Sequence, residues 1–189
     1  SPRQREERLL RELLVGIGLQ EVITYSFVSR EENALFAKAG AGRALTLANP
    51  LSEEAGEMRS SLFPGLLGAL LHNFNRHQTD AAVFETGRVF CANPKLFKEE
   101  RYECCIAISG RRQPERFSAE REVEYDFFDM KGLLEELLSK MKVKDVRFER
   151  TEEGIFSKGC CAAVYAGTAL LGIFGKVDVE KVFVASEVF

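Results

Sequence analysis

Three residues with reactive or charged side chains lie three positions apart in one apolar segment of this 189-residue chain: Glu85, Arg88 and Cys91. Residues 81–90 read as a strand, whose successive side chains point to opposite faces. Glu85 and Arg88 therefore make a poor acid–base pair, and Arg88 is better interpreted as a structural ion-pairing residue than as a phosphate ligand. Cys91 is better interpreted as an inert thiol than as a nucleophile, because no histidine lies near it in sequence.

The histidines and cysteines do not form a metal-binding pattern. His72 and His77 are five residues apart, whereas a helical metal pair needs a spacing of four. Adjacent cysteines on a strand point to opposite faces, so neither adjacent pair is preorganised for chelation or for a disulfide. We therefore expect no metal site, free thiols and a reducing, cytoplasmic setting. The cysteines are Cys91, Cys104, Cys105, Cys160 and Cys161.

Composition indicates a globular chain with an ordinary surface. Hydrophobic residues make up 46% of the sequence, charged residues make up 29%, and the net charge is -3. This balance argues against a general polyanion binder. No apolar run approaches the ~20 residues of a membrane-spanning helix, so we expect no membrane partner.

One basic cluster has two interpretations. It could contact an RNA backbone, but lysines at a helix end also follow from the helix dipole and solvation. An aromatic stacking platform for bases is missing beside it, which favours the second interpretation. The cluster consists of Lys140, Lys142, Lys144, Arg147 and Arg150.

Hydrophobic periodicity predicts helices interleaved with hairpins. Helices are expected over 3–15 and 30–38 (N-capped by Ser29), from Pro64 onward, and after a cap at Asp126 or Asp129. The last helix should place Phe128, Leu133, Leu134, Leu137, Leu138 and Met141 on its inner face. Strands are expected over 20–28, 44–48, 81–90, 101–109, 143–150, 160–165 and 169–174. This order indicates one α+β domain, residues 1–189, with a mostly antiparallel sheet.

Several short motifs occur in an order that resembles one known family. They are Gly-Leu-Gln-Glu-Val-Ile-Thr-Tyr-Ser-Phe at Gly18 to Phe27, Asn-Pro-Leu-Ser at Asn49 to Ser52, Met-Arg-Ser-Ser-Leu at Met58 to Leu62, Phe-Glu-Thr-Gly-Arg-Val-Phe at Phe84 to Phe90, and Tyr-Asp-Phe-Phe-Asp-Met-Lys-Gly at Tyr125 to Gly132. With Pro64-Gly65 between them, they resemble the catalytic-like core domain of the beta subunit of bacterial phenylalanyl-tRNA synthetase. The resemblance implies a class II aminoacyl-tRNA synthetase-like fold.

The sequence departs from the family where a synthetase site would need charge. The related catalytic alpha subunit is expected to continue Gly-Arg-Val-Tyr-Arg, whereas Cys91 stands here in place of the last arginine. A thiol cannot replace a bidentate guanidinium at a phosphate. The family's His-Pro-Gly-Arg-like run is replaced by residues 155–159, and its Gly-Glu-x-His-Pro-like ending by residues 175–178. Glu85, Arg88 and Cys91 are therefore interpreted as degenerate active-site positions.

The resemblance implies a silent domain within an enzyme. The whole enzyme would join phenylalanine to tRNA(Phe), using ATP and Mg2+ at the alpha subunit, as an alpha2-beta2 heterotetramer. The domain itself would bind no cofactor and would hold the alpha subunit. We expect it to be an excised part of a longer chain, truncated at its C-terminal end. The alternatives are a stand-alone amino-acid-binding or small ligase enzyme on the same fold, and a regulatory module that binds only other proteins.

By the same resemblance, the subunit interface would involve residues 3–28, with the turn at 49–59 beside it. An apolar stripe at Leu9, Leu13 and Leu14 would meet the partner. The polar residues Arg8, Glu12, Glu21 and Arg59 would form the rim and set the register. Asn49 and Pro50, in the turn, would complete the interface. The alternative is that this helix packs only on its own sheet.

Overall fold

The computed structural model describes residues 2–36, 44–50, 52, 55–92, 99–112, 123–152 and 154–178. In chain order these residues form α1 (Pro2–Ile17), β1 (Gln20–Glu21), β2 (Phe27–Val28), α2 (Arg30–Phe36), β3 (Leu45–Thr46), β4 (Glu57–Met58), α3 (Phe63–Phe74), β5 (Ala81–Cys91), β6 (Glu99–Ser109), α4 (Phe127–Lys140), β7 (Val146–Arg150), β8 (Phe156–Ala166) and β9 (Ala169–Val177). None of the described helices is long and apolar enough to cross a membrane.

Contacts divide the chain into two compact units, one of them Gly18–Gly110 and the other formed by residues 1–17 and 111–189. In the first unit, β5 and β6 form the predicted antiparallel hairpin, and β1 adds to β5 in parallel. A second small antiparallel sheet has the order β2-β4-β3. The loop between these two strands, which contains Asn93-Pro94, lies outside the described residues.

The core of this first unit lies between α3 and one face of the hairpin. Pro64 fits the first turn of α3, where its missing N–H is not needed. Leu66, Leu70 and Val83 are buried together, and Val22, Phe74, Ala81, Cys105 and Ala107 pack around them. Fully burying one such leucine contributes about 1.5–3 kcal/mol, so a few side chains hold the helix on the sheet.

The second unit is an antiparallel sheet with the order β7-β8-β9. Ala162, Val164 and Phe174 form its core against α4. The ring of Phe127 stacks on that of Phe174 with centroids 4.9 Å apart. Asp126 caps α4 in a capping box with Asp129, as one of the two predicted caps requires.

Helix α1 packs against α4 within the second unit. Its Leu14 is fully buried.

In the first unit, helix α2 begins as predicted at the Ser29 cap. The Ser29 hydroxyl accepts from the Glu32 backbone N–H, and the Glu32 carboxylate accepts from the Ser29 N–H. The last two residues predicted for α2, 37 and 38, lie outside the described residues.

Two predicted details are wrong. Phe128 is 73% exposed and not on the inner face of α4. The inward stripe follows Phe127, Met130, Leu134 and Leu138, and Phe128 lies one position, about 100° of helix rotation, away from it. The strand predicted over 20–28 is also interrupted, because only its two ends, β1 and β2, join ladders.

Helix α3 approaches the interrupted stretch between β1 and β2 at Gly65. A Cβ atom at Gly65 would overlap the Thr24 hydroxyl oxygen and lie 2.8 Å from the Thr24 Cβ, whereas nothing lies within 4 Å of a Cβ at Gly68. Gly65 lies in the first turn of the helix and Gly68 lies three residues further on, and only Gly65 has Thr24 against it.

We predict that Gly65→Ala destabilises the protein and that Gly68→Ala does not. Alanine gains about 0.8–1.0 kcal/mol over glycine within a helix. At Gly68 that gain should appear as a higher urea midpoint, whereas at Gly65 the clash with Thr24 should exceed it. Urea unfolding of both variants measures the difference. Equal stabilisation by the two substitutions would show that the Gly65–Thr24 approach is not tight.

Candidate functional site

A buried ion pair lies at the centre of the first unit. Glu85 is on β5 and Arg59 directly follows β4. The Arg59 Nη1 atom lies 2.6 Å from the Glu85 Oε1 atom, and the two side chains are 6% and 3% exposed. A glutamate within an apolar strand must be paired or neutralised, because an isolated buried charge is costly. Sequence reasoning treated the two residues separately, although a carboxylate between buried strand residues is the signal for such a partner.

The pair also binds the backbone and side chain of Thr24. The Thr24 backbone N–H donates to Glu85 Oε1 at 3.3 Å, and its hydroxyl donates to Oε2 at 2.7 Å. Arg59 Nη1 donates to the Thr24 hydroxyl oxygen at 3.2 Å and its carbonyl at 3.5 Å. Arg59 Nε donates to the Arg88 carbonyl at 2.9 Å. A Cβ at Gly87 would overlap Arg59 Nη2, so this glycine makes room for the guanidinium.

A second polar network binds the residues immediately before and after Arg59 in the chain. The Asn33 side-chain amide donates to Glu57 Oε2 at 2.9 Å and to the Met58 carbonyl at 3.2 Å. The side-chain oxygen of Asn33, Oδ1, accepts from the Ser60 backbone N–H at 2.9 Å and from the Ser60 hydroxyl at 2.6 Å. Arg30 contacts Glu57 Oε1 at 3.2 Å. The Met-Arg-Ser-Ser-Leu motif is therefore fixed from two sides by α2 and β5.

Two of the predictions for β5 are confirmed. Glu85 is buried while Arg88 is exposed, so they do point to opposite faces. Arg88 forms a structural ion pair, with its Nη1 atom 3.2 Å from Glu100 Oε2 on β6. Such an exposed pair contributes at most about 1 kcal/mol.

Cys91 is buried at the end of β5, and Arg101 Nη2 on the neighbouring strand donates to its sulfur at 3.4 Å. A guanidinium thus reaches the residue-91 position from β6, which the sequence pattern did not reveal.

All five cysteines are free, as predicted. Cys104 is exposed as a residue, yet the protein packed around its sulfur and, secondarily, the Glu21 carboxylate raise the pKa of its thiol to about 12. It therefore remains protonated, and is a poor nucleophile, at neutral pH.

The residues predicted for the α1 interface divide into exposed and buried ones. Leu9 is 44% exposed and Leu13 is half-buried. Arg8 and Glu12 form an exposed i,i+4 ion pair at 3.3 Å. Leu14 is fully buried within the chain. The prediction that Leu14 faces a partner is therefore corrected: it belongs to the core.

The other residues predicted for the interface also divide into exposed and buried ones. Asn49, Pro50 and Glu21 are exposed, and Glu21 Oε1 accepts from the Thr86 hydroxyl at 3.5 Å. Arg59 is only 5% exposed and is committed to Glu85. The prediction of Arg59 as a surface residue is corrected, because its guanidinium serves the interior.

The structure also exposes three apolar side chains that lie within the predicted interface range 3–28 but were not singled out there. Ile23 is 90% exposed, Tyr25 is 86% exposed and Phe27 is 41% exposed. We call residues Ile23, Tyr25 and Phe27 the apolar ridge. The strand prediction over 20–28 did not say which face is buried. The structure turns the large side chains outward and leaves Val22 and Thr24 partly buried. Large exposed apolar groups in alternation are typical of an interaction surface.

The remaining candidates do not converge on a site. His72 and His77 are exposed at and beyond the end of α3. In the basic cluster, Lys140 contacts Glu136 Oε1 at 2.7 Å, and Arg147 contacts Glu149 Oε1 at 3.1 Å. These partners agree with the interpretation of a solvated surface. RNA contact by this cluster stays untested.

The residues of the chain match a known family model. Residues 1–182 match the model described as the phenylalanyl tRNA synthetase beta chain CLM domain. The chain belongs to this family. The expectation drawn from the motifs is confirmed, and the stand-alone enzyme is not favoured. That residues 1–189 form a single domain stays a prediction.

Individual relatives agree with the family. This synthetase beta-chain domain is 38% identical over 174 residues to the phenylalanine–tRNA ligase beta subunit of Vibrio cholerae, covering 90% of the chain and 22% of the relative. It is 33% identical over 172 residues to that of Dehalococcoides mccartyi, covering 91% of the chain and 21% of the relative. The chain thus spans about a fifth of the length of these relatives.

Solved structures show the same fold. The crystal structure of pyrrolysyl-tRNA synthetase from Desulfitobacterium hafniense matches with a TM-score of 0.65 at 13% identity, covering 94% of this chain and 60% of that one. At this identity the likeness shows the fold alone. The predicted class, α+β with a mostly antiparallel class II synthetase-like sheet, is confirmed.

We predict that the Glu85–Arg59 pair can be broken only at high cost. Glu85→Leu should lower the free energy of unfolding by about 3–5 kcal/mol, because it leaves a buried guanidinium unpaired. Combining Arg59→Met with Glu85→Leu should recover much of that loss. Urea unfolding checks both expectations.

The exposed pair on the same hairpin is the matched control. Glu100→Ala removes the partner of Arg88 and should change the stability by at most about 1 kcal/mol. If Glu85→Leu is as mild as Glu100→Ala, or if the double variant is no more stable than the single one, the buried pair does not have the role assigned to it.

Proposed function

We propose that this domain is the catalytically silent, synthetase-like part of a phenylalanine–tRNA ligase beta subunit and that it binds the alpha subunit. The whole enzyme would ligate phenylalanine to tRNA(Phe) with ATP and Mg2+, in the cytoplasm, as an alpha2-beta2 heterotetramer. The adenylation site and its cofactors would belong to alpha. Membership of the beta-chain family supports this proposal.

The apolar ridge is the observation that carries the proposal of a docking role. Its three large side chains alternate outward along residues 23–27. Aromatic residues are enriched in the centres of protein interfaces, where one Tyr or Trp can dominate the binding energy. The beta-subunit relatives supply the reason for choosing alpha as the occupant.

Exposed residues of α1 extend the proposal without Leu14. Leu9 is 44% exposed and Val15 is 56% exposed, with the Arg8–Glu12 pair beside Leu9 in sequence. We propose that Leu9, Leu13, Arg8 and Glu12 contact the alpha subunit. Glu21, Asn49 and Pro50 are also exposed, and we propose the same role for them.

The proposal of silence has a physical basis at β5. Phosphoryl chemistry on ATP needs positive groups free to neutralise the developing charge. Arg59 is paired with a buried carboxylate, Arg88 is paired with Glu100, and residue 91 is a cysteine where the resemblance expects an arginine. Glu85 likewise has both carboxylate oxygens occupied, so it is not available as a base or a metal ligand.

We predict that this chain alone shows no phenylalanine-dependent ATP–pyrophosphate exchange. The expected rate equals that of a protein-free control, because Arg59 and Arg88 are paired with carboxylates of the chain and a cysteine occupies position 91. Complete alpha–beta enzyme is the positive control. Phenylalanine-stimulated exchange by the chain alone would contradict the assignment of the chemistry to alpha.

We also predict that Ile23→Asp combined with Tyr25→Asp, made in the full beta subunit, weakens alpha binding at least 100-fold. Charges would replace two anchors, and loss of interface anchors costs about 2–4 kcal/mol each. Leu171→Asp is the control, since Leu171 is a 48% exposed leucine on β9. Titration of alpha by analytical ultracentrifugation measures both. Wild-type affinity in the double variant would exclude the apolar ridge from the interface.

A further inference from the structure

Thr24 stands between the two most exposed members of the apolar ridge, and the buried ion pair binds all of its polar groups. Its N–H and hydroxyl donate to the Glu85 carboxylate at 3.3 and 2.7 Å. Its carbonyl and hydroxyl oxygens accept from Arg59 at 3.5 and 3.2 Å. Ile23 and Tyr25, on either side in sequence, are 90% and 86% exposed.

Regular strand pairing does not hold this part of the chain. The ladders of the described residues pair Gln20 and Glu21 with β5, and Phe27 and Val28 with β4. Between them, the Val22 N–H donates to the Phe84 carbonyl at 2.8 Å, and the Ser26 carbonyl accepts from the Arg59 N–H at 2.9 Å. Residue 24 is thus fixed by side chains, where a continuous strand would use the backbone of a neighbour.

An exposed segment without these bonds would lose its fixed geometry. Holding one residue in a single backbone conformation costs about 1–2 kcal/mol of conformational entropy, which local bonds must offset. Ile23 and Tyr25 make little compensating contact within the chain, because they point into solvent. Their placement therefore depends on the anchoring of Thr24.

We propose that Glu85, Arg59 and Thr24 form a positioning device that preorganises the apolar ridge for the alpha subunit. The device rests on the proposed docking function. Within it, the degenerate active-site glutamate acts on protein binding through Thr24, and it touches no substrate. Gly65 and Gly87 are part of the device, because side chains there would displace Thr24 and Arg59.

The expected effect follows from the fraction of molecules that hold the ridge in its binding conformation. Apparent affinity falls in proportion to that fraction, so a decrease to about one tenth weakens binding about ten-fold. Because the contacts in the complex are unchanged, most of the loss should appear as slower association. Direct loss of an interface contact would instead speed dissociation.

Thr24→Val and Thr24→Ser in the full beta subunit provide the test. Valine keeps the branched shape and removes the hydroxyl, so it should weaken alpha binding about ten-fold. It should also speed hydrogen exchange of the residue-24 amide, whose N–H donates to Glu85 in the wild type. Serine keeps the hydroxyl and should bind alpha within about two-fold of wild type. Surface plasmon resonance and hydrogen exchange measure these. Equal loss in both variants, or wild-type association in Thr24→Val, would overturn the device.

A double-mutant cycle separates positioning from general damage to the fold. In a Tyr25→Ala background, Thr24→Val should cost less than in wild type, because the anchor that it positions is gone. The same loss in both backgrounds would mean a merely structural role and would overturn the device. If Tyr25→Ala leaves alpha binding unchanged, the proposed docking through the apolar ridge fails, and the positioning device fails with it. If Tyr25→Ala weakens binding and Thr24→Val does not, only the positioning device fails.

Discussion

The arrangement of the Gly18–Gly110 unit depends on one buried interaction, the ion pair between Glu85 and Arg59. Bringing two charges out of water costs several kcal/mol per ion, and their attraction offsets this only when the remaining hydrogen-bonding capacity is filled. Here Thr24 and the Arg88 carbonyl fill it. The pair thereby ties together the segment after β4, strand β5 and the stretch between β1 and β2, three pieces that are far apart in sequence.

A buried pair of this kind does more to specify one arrangement of the chain than to raise the free energy of unfolding. Apolar residues of equal volume would hold the same layers together, often as strongly. They would not demand that Thr24 face inward, and so they would not fix which side chains of residues 22–27 face outward. Because neighbouring residues of an extended chain alternate, fixing one hydroxyl inside places Ile23 and Tyr25 in solvent.

Periodicity and motifs were enough to predict the fold class, the β5–β6 hairpin, the α4 cap and the family. These features depend on local patterning, on turn chemistry and on apolar stripes, which a sequence shows directly. The errors have different causes. Leu14 and Arg59 were placed at the interface through the family resemblance, whereas contacts between distant segments bury them. Phe128 was placed on the inner face of α4, which follows the neighbouring Phe127 instead. The break in the strand over 20–28 was likewise invisible, because it reflects which neighbouring strands the tertiary structure supplies.

On the proposal that the domain is catalytically silent, the same pair explains how a class II-like fold can keep buried charged residues on and beside β5. Catalysis on ATP requires preorganised charges that await a ligand, and a free charge in a dry site is costly to maintain. In this domain the interior guanidinium meets a carboxylate of its own chain, and the thiol at Cys91 accepts from Arg101. Once an arginine is neutralised internally, it stabilises geometry and no longer attracts a phosphate. The charged residues thus hold the chain in one arrangement, and in that arrangement the apolar ridge faces the solvent.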